Sequence, residues 1–298
     1  MTDLSAPQHS RAFDLAAPLV FVGLWSTGWI VARYCADYGD PLTFLCVRFA
    51  AAGVVLAIYA QAVGAQWPRG GWNLLHVLIA GVLLHAFYLG PVWWAVRQGV
   101  PASISALLAA TQPIATAALG PFLLGERASL RRWLGAGVGF LGVAIVLQPK
   151  LALAAPGSGF AFAVMVNLIG MASTTAGFFY QKRFVRSSDM RATAAVQYAA
   201  ALLALAPFAF ALEPMRITWN LTMILTLAWS VLALSIGAIL LLLVYLRRGE
   251  VSRTAQFIYL VPPASALESW LLFGETLTSG QIVGMVITAA GVALAVKG

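Results

Sequence analysis

The stretch PIATAALGPFLLGERASLRRWLGAGVGFLGVAIVL (Pro113–Leu147) aligns at an offset of 149 with PPASALESWLLFGETLTSGQIVGMVITAAGVALAV (Pro262–Val296). Pro113 falls on Pro262, Gly125-Glu126 on Gly274-Glu275, Gly135 on Gly284, and Gly142-Val143-Ala144 on Gly291-Val292-Ala293. The starts of the two halves match as well, with small indels: Gly23-x-x-Ser26-Thr27 against Gly170-x-x-Ser173-Thr174. Val47 then falls on Val196, which sets Arg48 opposite Gln197. The chain therefore reads as an internal duplication.

The repeat is written in apolar residues. Of 298 residues, 61% are hydrophobic and 9% are charged, against about 25% charged in an average soluble domain. So few charges cannot cover a water-exposed surface of this size, which excludes a water-soluble enzyme. A disordered chain would be polar and highly charged, so it is excluded too. A membrane helix needs about 20 mostly apolar residues. Ten such stretches stand near 15–33, 41–61, 72–96, 102–124, 130–148, 159–181, 191–213, 217–246, 252–273 and 279–296. Continuous apolar runs such as Ile239–Val244 indicate helices rather than the alternating pattern of a membrane barrel. No cleavable leader is expected, because the polar start runs straight into a full-length span.

The net charge of +8 belongs to loops, not to a nucleic-acid surface. With the N-terminus inside, 13 of the 18 Lys and Arg fall on inner segments, four on outer connections, and Arg48 within a span. Positive charge accumulates on the cytoplasmic side of membrane proteins, so both termini are expected in the cytoplasm and the number of spans is even. Five spans per half force the second half to enter the membrane from the opposite side. The expected fold is thus an all-α membrane protein with ten transmembrane helices in two inverted five-helix repeats. Residues 1–14 form a tail, 15–148 the first repeat, 149–158 a linker and 159–298 the second repeat. Inverted repeats of this kind typify secondary transporters with a site at the repeat interface near the bilayer midplane.

The duplicated motif, Pro followed by Gly-Glu 12 and 13 residues later and then a Gly-rich helix, resembles the EamA family of the drug/metabolite transporter superfamily over about residues 15–297. Leu24-Trp25-Ser26-Thr27 is similar to the YddG-type amino-acid exporters of bacteria. The resemblance implies a bacterial inner-membrane carrier of small metabolites, often an amino-acid exporter working by alternating access.

Several polar and aromatic residues inside spans are candidates for contacting substrate: Trp25, Ser26, His85, Tyr88, Trp94, Gln112, Ser173, Gln256 and Tyr259. Amide, hydroxyl and indole groups with few charges suit a neutral or zwitterionic ligand, including an aromatic amino acid. Pro113 and Pro262 are expected inside helices, each removing a backbone donor and freeing a carbonyl, as hinges beside a cavity. Arg48 and Glu268 are the charges deepest in apolar spans, and their similar depth suggests an ion pair gating the outer mouth. Glu126 is expected to balance Arg127, Arg131 and Arg132 or to cap the following helix, Glu275 to lie on the outer side, and both to have structural rather than catalytic roles. The glycines of the fifth and tenth spans have the spacing of close helix packing, against neighbours or against a second copy in a homodimer, with no substrate role.

Cys35 and Cys46 lack metal-like spacing. Neither a metal cluster nor a phosphate loop is legible, so no cofactor and no ATP use are expected, and transport runs down a gradient. The partners expected are a small-molecule substrate and the bilayer. Rival readings are a nucleotide-sugar carrier of the same superfamily, a membrane-embedded lipid enzyme, and a channel. The first needs phosphate-binding Lys or Arg in the cavity; the second needs a nucleophile–base pair or metal cluster that the chain does not display.

Overall fold

The structure is a computed structural model that describes residues 11–124, 129–153, 159–185, 188–241 and 260–296. Among the described residues it is helical, with no strand beyond an isolated bridge between Gly39 and Ile217. The helices are α1 (Arg11–Tyr38), α2 (Pro41–Ala62), α3 (Gly71–Arg97), α4 (Ala102–Leu108), α5 (Thr111–Leu124), α6 (Leu130–Leu153), α7 (Phe160–Phe184), α8 (Met190–Leu212), α9 (Leu221–Leu241), α10 (Val261–Phe273) and α11 (Ser279–Val296). Seven of these, α1, α2, α3, α6, α7, α8 and α9, are long and apolar enough to cross a membrane.

The breaks have local causes. Asp189 and Asn220 cap α8 and α9, each side chain accepting from a backbone N–H of the first turn. Gly274 ends α10 at φ 67°, a left-handed conformation that favours glycine. The fourth apolar stretch is two helices, with a turn at Ala109-Ala110. Pro113 sits in the first turn of α5, directly after that turn, and Pro262 sits in the first turn of α10. A proline there lacks only an N–H that would be unpaired anyway. The turn at Ala109-Ala110 stands at the position four residues before Pro113, where a proline frees a carbonyl, while the residues before Leu260 that bear on Pro262 lie outside the described residues. The presumed linker is shorter than expected, because α6 runs through Pro149 to Leu153.

Two long helices carry π-helical turns that no sequence feature announced: Val82–Ala86 in α3 and Ser230–Gly237 in α9. A π turn leaves backbone carbonyls without their usual partners. Serine hydroxyls supply some of them. Ser173 of α7 donates to the Leu83 carbonyl at 2.9 Å, and Ser235 donates to the Ser230 carbonyl at 3.0 Å.

Packing is organised by close approach of small residues, which matters in lipid because no hydrophobic force pushes helices together there. α6 and α11 run antiparallel. A Cβ on Gly135 would lie 2.7 Å from Ala295 Cα and from the Gly291 carbonyl, and one on Gly142 would lie 2.6 Å from the Gly284 carbonyl. The glycine stripe is thus consumed within one chain, so it is not a free face for a second copy. α2 and α8 also run antiparallel, with Gly53 against Tyr198 and the Glu213 carboxylate accepting from the N–H groups of Leu42 and Thr43. Gly170 of α7 lies against the Tyr88 carbonyl of α3. The largest buried side chains include Trp93, Phe44 and Phe49, with Phe44 stacked on Trp93 at 5.5 Å. Apolar residues such as Ile58, Leu203, Phe210, Leu221 and Val286 face outward, as a lipid-facing surface requires.

A cavity between the two halves as the candidate functional site

An interhelical cleft enclosing about 40 Å³ lies where the halves meet. α1 supplies Trp25 and Trp29, α3 supplies Tyr88, and the α4–α5 region supplies Leu107, Ala110 and Gln112. The second half supplies Val261 and Pro262 of α10 and Met285, Thr288 and Val292 of α11. The walls are mainly apolar and aromatic, with the Tyr88 hydroxyl and Gln112 amide as polar groups. Thr288 is occupied, donating to the Gly284 carbonyl at 2.8 Å. The Trp29 indole N–H is buried with no hydrogen-bond partner. A few polar groups in an apolar cleft are what orient a small ligand.

Four of the candidates read from sequence, Trp25, Tyr88, Gln112 and Pro262, meet at this cavity. Others are engaged elsewhere. Ser26 is fully buried and donates to Glu268 Oε1 at 2.7 Å. His85 stacks on Tyr198 with ring centroids 4.5 Å apart, beside Phe49. Trp94 packs edge-on against Phe162. Ser173 is held by the Leu83 carbonyl. Gln256 and Tyr259 lie outside the described residues, as does Glu126. The contribution of α11 was missed. Its glycines marked it as a packing helix, yet the residues between them, Met285, Thr288 and Val292, form a wall.

Arg48 and Glu268 do not form the expected pair. Arg48 is 5% exposed; its Nη2 lies 3.4 Å from Ser235 Oγ, and its guanidinium sits 5.8 Å from the centre of the Trp93 ring. Tyr198 and Tyr88 are close enough to interact with its charge. Glu268 faces α1 instead, where Ser26 holds one oxygen and Oε2 is buried without a partner. Equal depth set the expectation, but depth does not specify which way around the helix a side chain points.

Glu275 performs a structural task. It does not cap α11, the helix that follows it. Its carboxylate accepts from the N–H groups of Ala102 and Ser103 at 3.3 Å each and from the Ser103 hydroxyl at 2.9 Å, so it caps α4 across the interface between halves. Arg33 approaches the same carboxylate at 4.0 Å.

A multi-helix bundle with a lipid-facing apolar surface and an apolar cleft between duplicated halves fits a membrane transporter. The chain belongs to the EamA-like transporter family, whose model matches residues 15–148 and again 161–297, one match per half. The family lies within the drug/metabolite transporter superfamily. The chain is similar to a probable amino-acid metabolite efflux pump of Salmonella typhimurium, with 26% identity covering 97% of this chain and 96% of that one. It is similar to the uncharacterized inner membrane transporter YedA of Escherichia coli, with 28% identity covering 92% and 88%. About half of the chain, 48%, matches a riboflavin transporter of Vibrio cholerae at 28% identity, covering 47% of that protein. A crystal structure at 18% identity superposes with a TM-score of 0.68 over 96% of this chain and 97% of the other, which shows the shared fold.

Proposed function

We propose that this protein exports small metabolites, foremost amino acids including neutral and aromatic ones, across the bacterial inner membrane by alternating access. The transporter would have ten spans in two inverted five-helix repeats with both termini cytoplasmic. The observation that carries the reading is the α6–α11 contact. Gly135 meets Gly291, and Gly142 meets Gly284. Exchanging each glycine for its repeat mate turns one contact into the other, which is the signature of a twofold axis relating the halves. A cavity on such an axis can open to either side by equivalent movements of the two halves, with substrate bound between them.

The lining supports the substrate class. Indole and phenol rings offer stacking surfaces, and Gln112 offers both a donor and an acceptor. Among the described lining residues there is no Lys or Arg, so the wall itself offers no cluster of cations for the phosphates of a nucleotide sugar. The efflux-pump relative, similar over nearly the full length, points the same way.

The test is counterflow of labelled amino acids in proteoliposomes, with and without an imposed pH gradient. Saturable exchange without a gradient supports a facilitated carrier, and exchange only with the gradient supports proton coupling. Failure of folded protein to exchange any amino acid would refute the substrate class.

A further inference from the structure

Arg48 is buried, and among the described residues no carboxylate pairs with it. A guanidinium carries five N–H donors in a planar fork. Here its Nη2 lies 3.4 Å from the Ser235 hydroxyl, the Tyr198 hydroxyl is within hydrogen-bonding reach, and its Nε is buried with no partner, so the groups that meet it are neutral. Ser235 is itself committed, donating to the Ser230 carbonyl. A buried cation is costly unless an anion and further hydrogen bonds compensate it.

Carboxylates elsewhere in the bundle have other duties. Glu213 caps α2, Glu268 bonds Ser26, and Glu275 caps α4. Asp37 pairs with Arg33, Asp40 accepts from the Arg216 N–H, and Asp189 pairs with Arg191. Among the described residues none of these lies within ion-pair distance of Arg48.

The duplication supplies an internal comparison. The repeat mate of Arg48 is Gln197, on the antiparallel partner helix. Gln197 is also buried, at 6% exposed, and donates to Gln181 Oε1 at 2.6 Å. The same helix pair is therefore built with a neutral, satisfied amide at one equivalent position and a cation without a carboxylate partner at the other. Packing does not demand the charge.

Tyr88 connects this cation to the cavity, because it both lines the cavity and lies near the guanidinium. We propose that Arg48 is the anchor for a carboxylate on the transported substrate, which reaches it from the cavity past Tyr88. The planar fork matches a carboxylate in bidentate geometry. Substrate would then be recognised as an acid first, with its side chain against Trp25 and Trp29. This rests on the transporter reading above and narrows it.

The test is ligand binding to purified protein by tryptophan fluorescence, using L-phenylalanine, its amide L-phenylalaninamide, and the matched 2-oxo acid phenylpyruvate. Both acids should bind the wild type at least tenfold more tightly than the amide. Arg48→Gln, which copies the repeat mate, should erase that gap, and Arg48→Lys should keep part of it. Equal binding of acid and amide by wild type, or a gap that survives in Arg48→Gln, overturns the anchor. Should Arg48→Gln fail to fold, the wild-type gap and its partial retention in Arg48→Lys decide. Binding of the oxo acid but not the amino acid upholds the anchor and refutes the amino-acid reading; binding of none of the three refutes both.

Discussion

Replacing Gly135 with alanine adds one methyl group where the backbone of α11 already stands. The new Cβ would lie 2.7 Å from Ala295 Cα and from the Gly291 carbonyl, about 0.7 Å short of the 3.4 Å at which ordinary contact begins. Both obstacles are backbone, so no side chain can swing aside and the helices must separate. A gap of that size forfeits about a quarter to a half of each dispersion contact across the seam, and overpacking of this kind costs about 1–3 kcal/mol. Alanine returns about 1 kcal/mol of helix propensity, so the expected net loss is up to about 2 kcal/mol. Gly137, two residues on, is the control. Nothing lies within 4 Å of a Cβ there, so Gly137→Ala keeps the propensity gain without the clash. Thermal unfolding in detergent, followed by size-exclusion chromatography, should show Gly135→Ala falling below wild type and Gly137→Ala at or above it. Equal shifts for the two variants would refute the argument that α6 and α11 meet backbone to backbone.

Glu275→Gln should destabilise the protein by about 1 kcal/mol, since the charge at the start of α4 is lost while a weaker acceptor remains; Ser103→Ala should lower the same unfolding midpoint less. Gln112→Ala and Tyr88→Phe should raise the KM for counterflow several-fold with unchanged unfolding midpoints, because these groups face the cavity rather than the core. Hydrogen bonds from Arg191 hold the Asp189 carboxyl below its ordinary value of 3.8. The stability from this pair is full above that value and lost as pH falls through the depressed one. Wild type should therefore exceed Asp189→Asn in thermal midpoint at pH 6, and the two should converge as the medium is acidified well below pH 4.

What was legible in the sequence was what leaves a periodic or compositional trace. Apolar length marked the helices, and the glycines of α6 and α11 marked a close seam. Trp25, Tyr88 and Gln112 were legible as cavity residues because polar or aromatic groups at depth are conspicuous against leucine and valine. Three things left no such trace. The π turns in α3 and α9 are written in ordinary residues, and serine hydroxyls that meet their free carbonyls come from a neighbouring helix in one case and from within the turn in the other. The separation of Arg48 from Glu268 is a matter of azimuth, which depends on how α2 and α10 are rotated in the bundle. The wall formed by Met285, Thr288 and Val292 was hidden because the glycines around them announced packing more loudly than these side chains announced a site.

The π turn at Val82–Ala86 also bears on how the gene can change length. A π turn holds one residue more than the α-helix it interrupts, so α3 contains a surplus residue at a known place. Deleting a residue inside Val82–Ala86 can restore a regular α-helix with every backbone bond made. The same deletion elsewhere in α3 would leave the bulge and misalign the chain around it. Because the wide turn absorbs the surplus residue locally, the tolerated deletion keeps the segments before and after it in about the same register, whereas a deletion elsewhere turns one by about 100° relative to the other. Length variation in α3 is therefore easiest at this turn, and a homologue lacking the surplus residue there should keep its counterpart of Tyr88 facing the cavity.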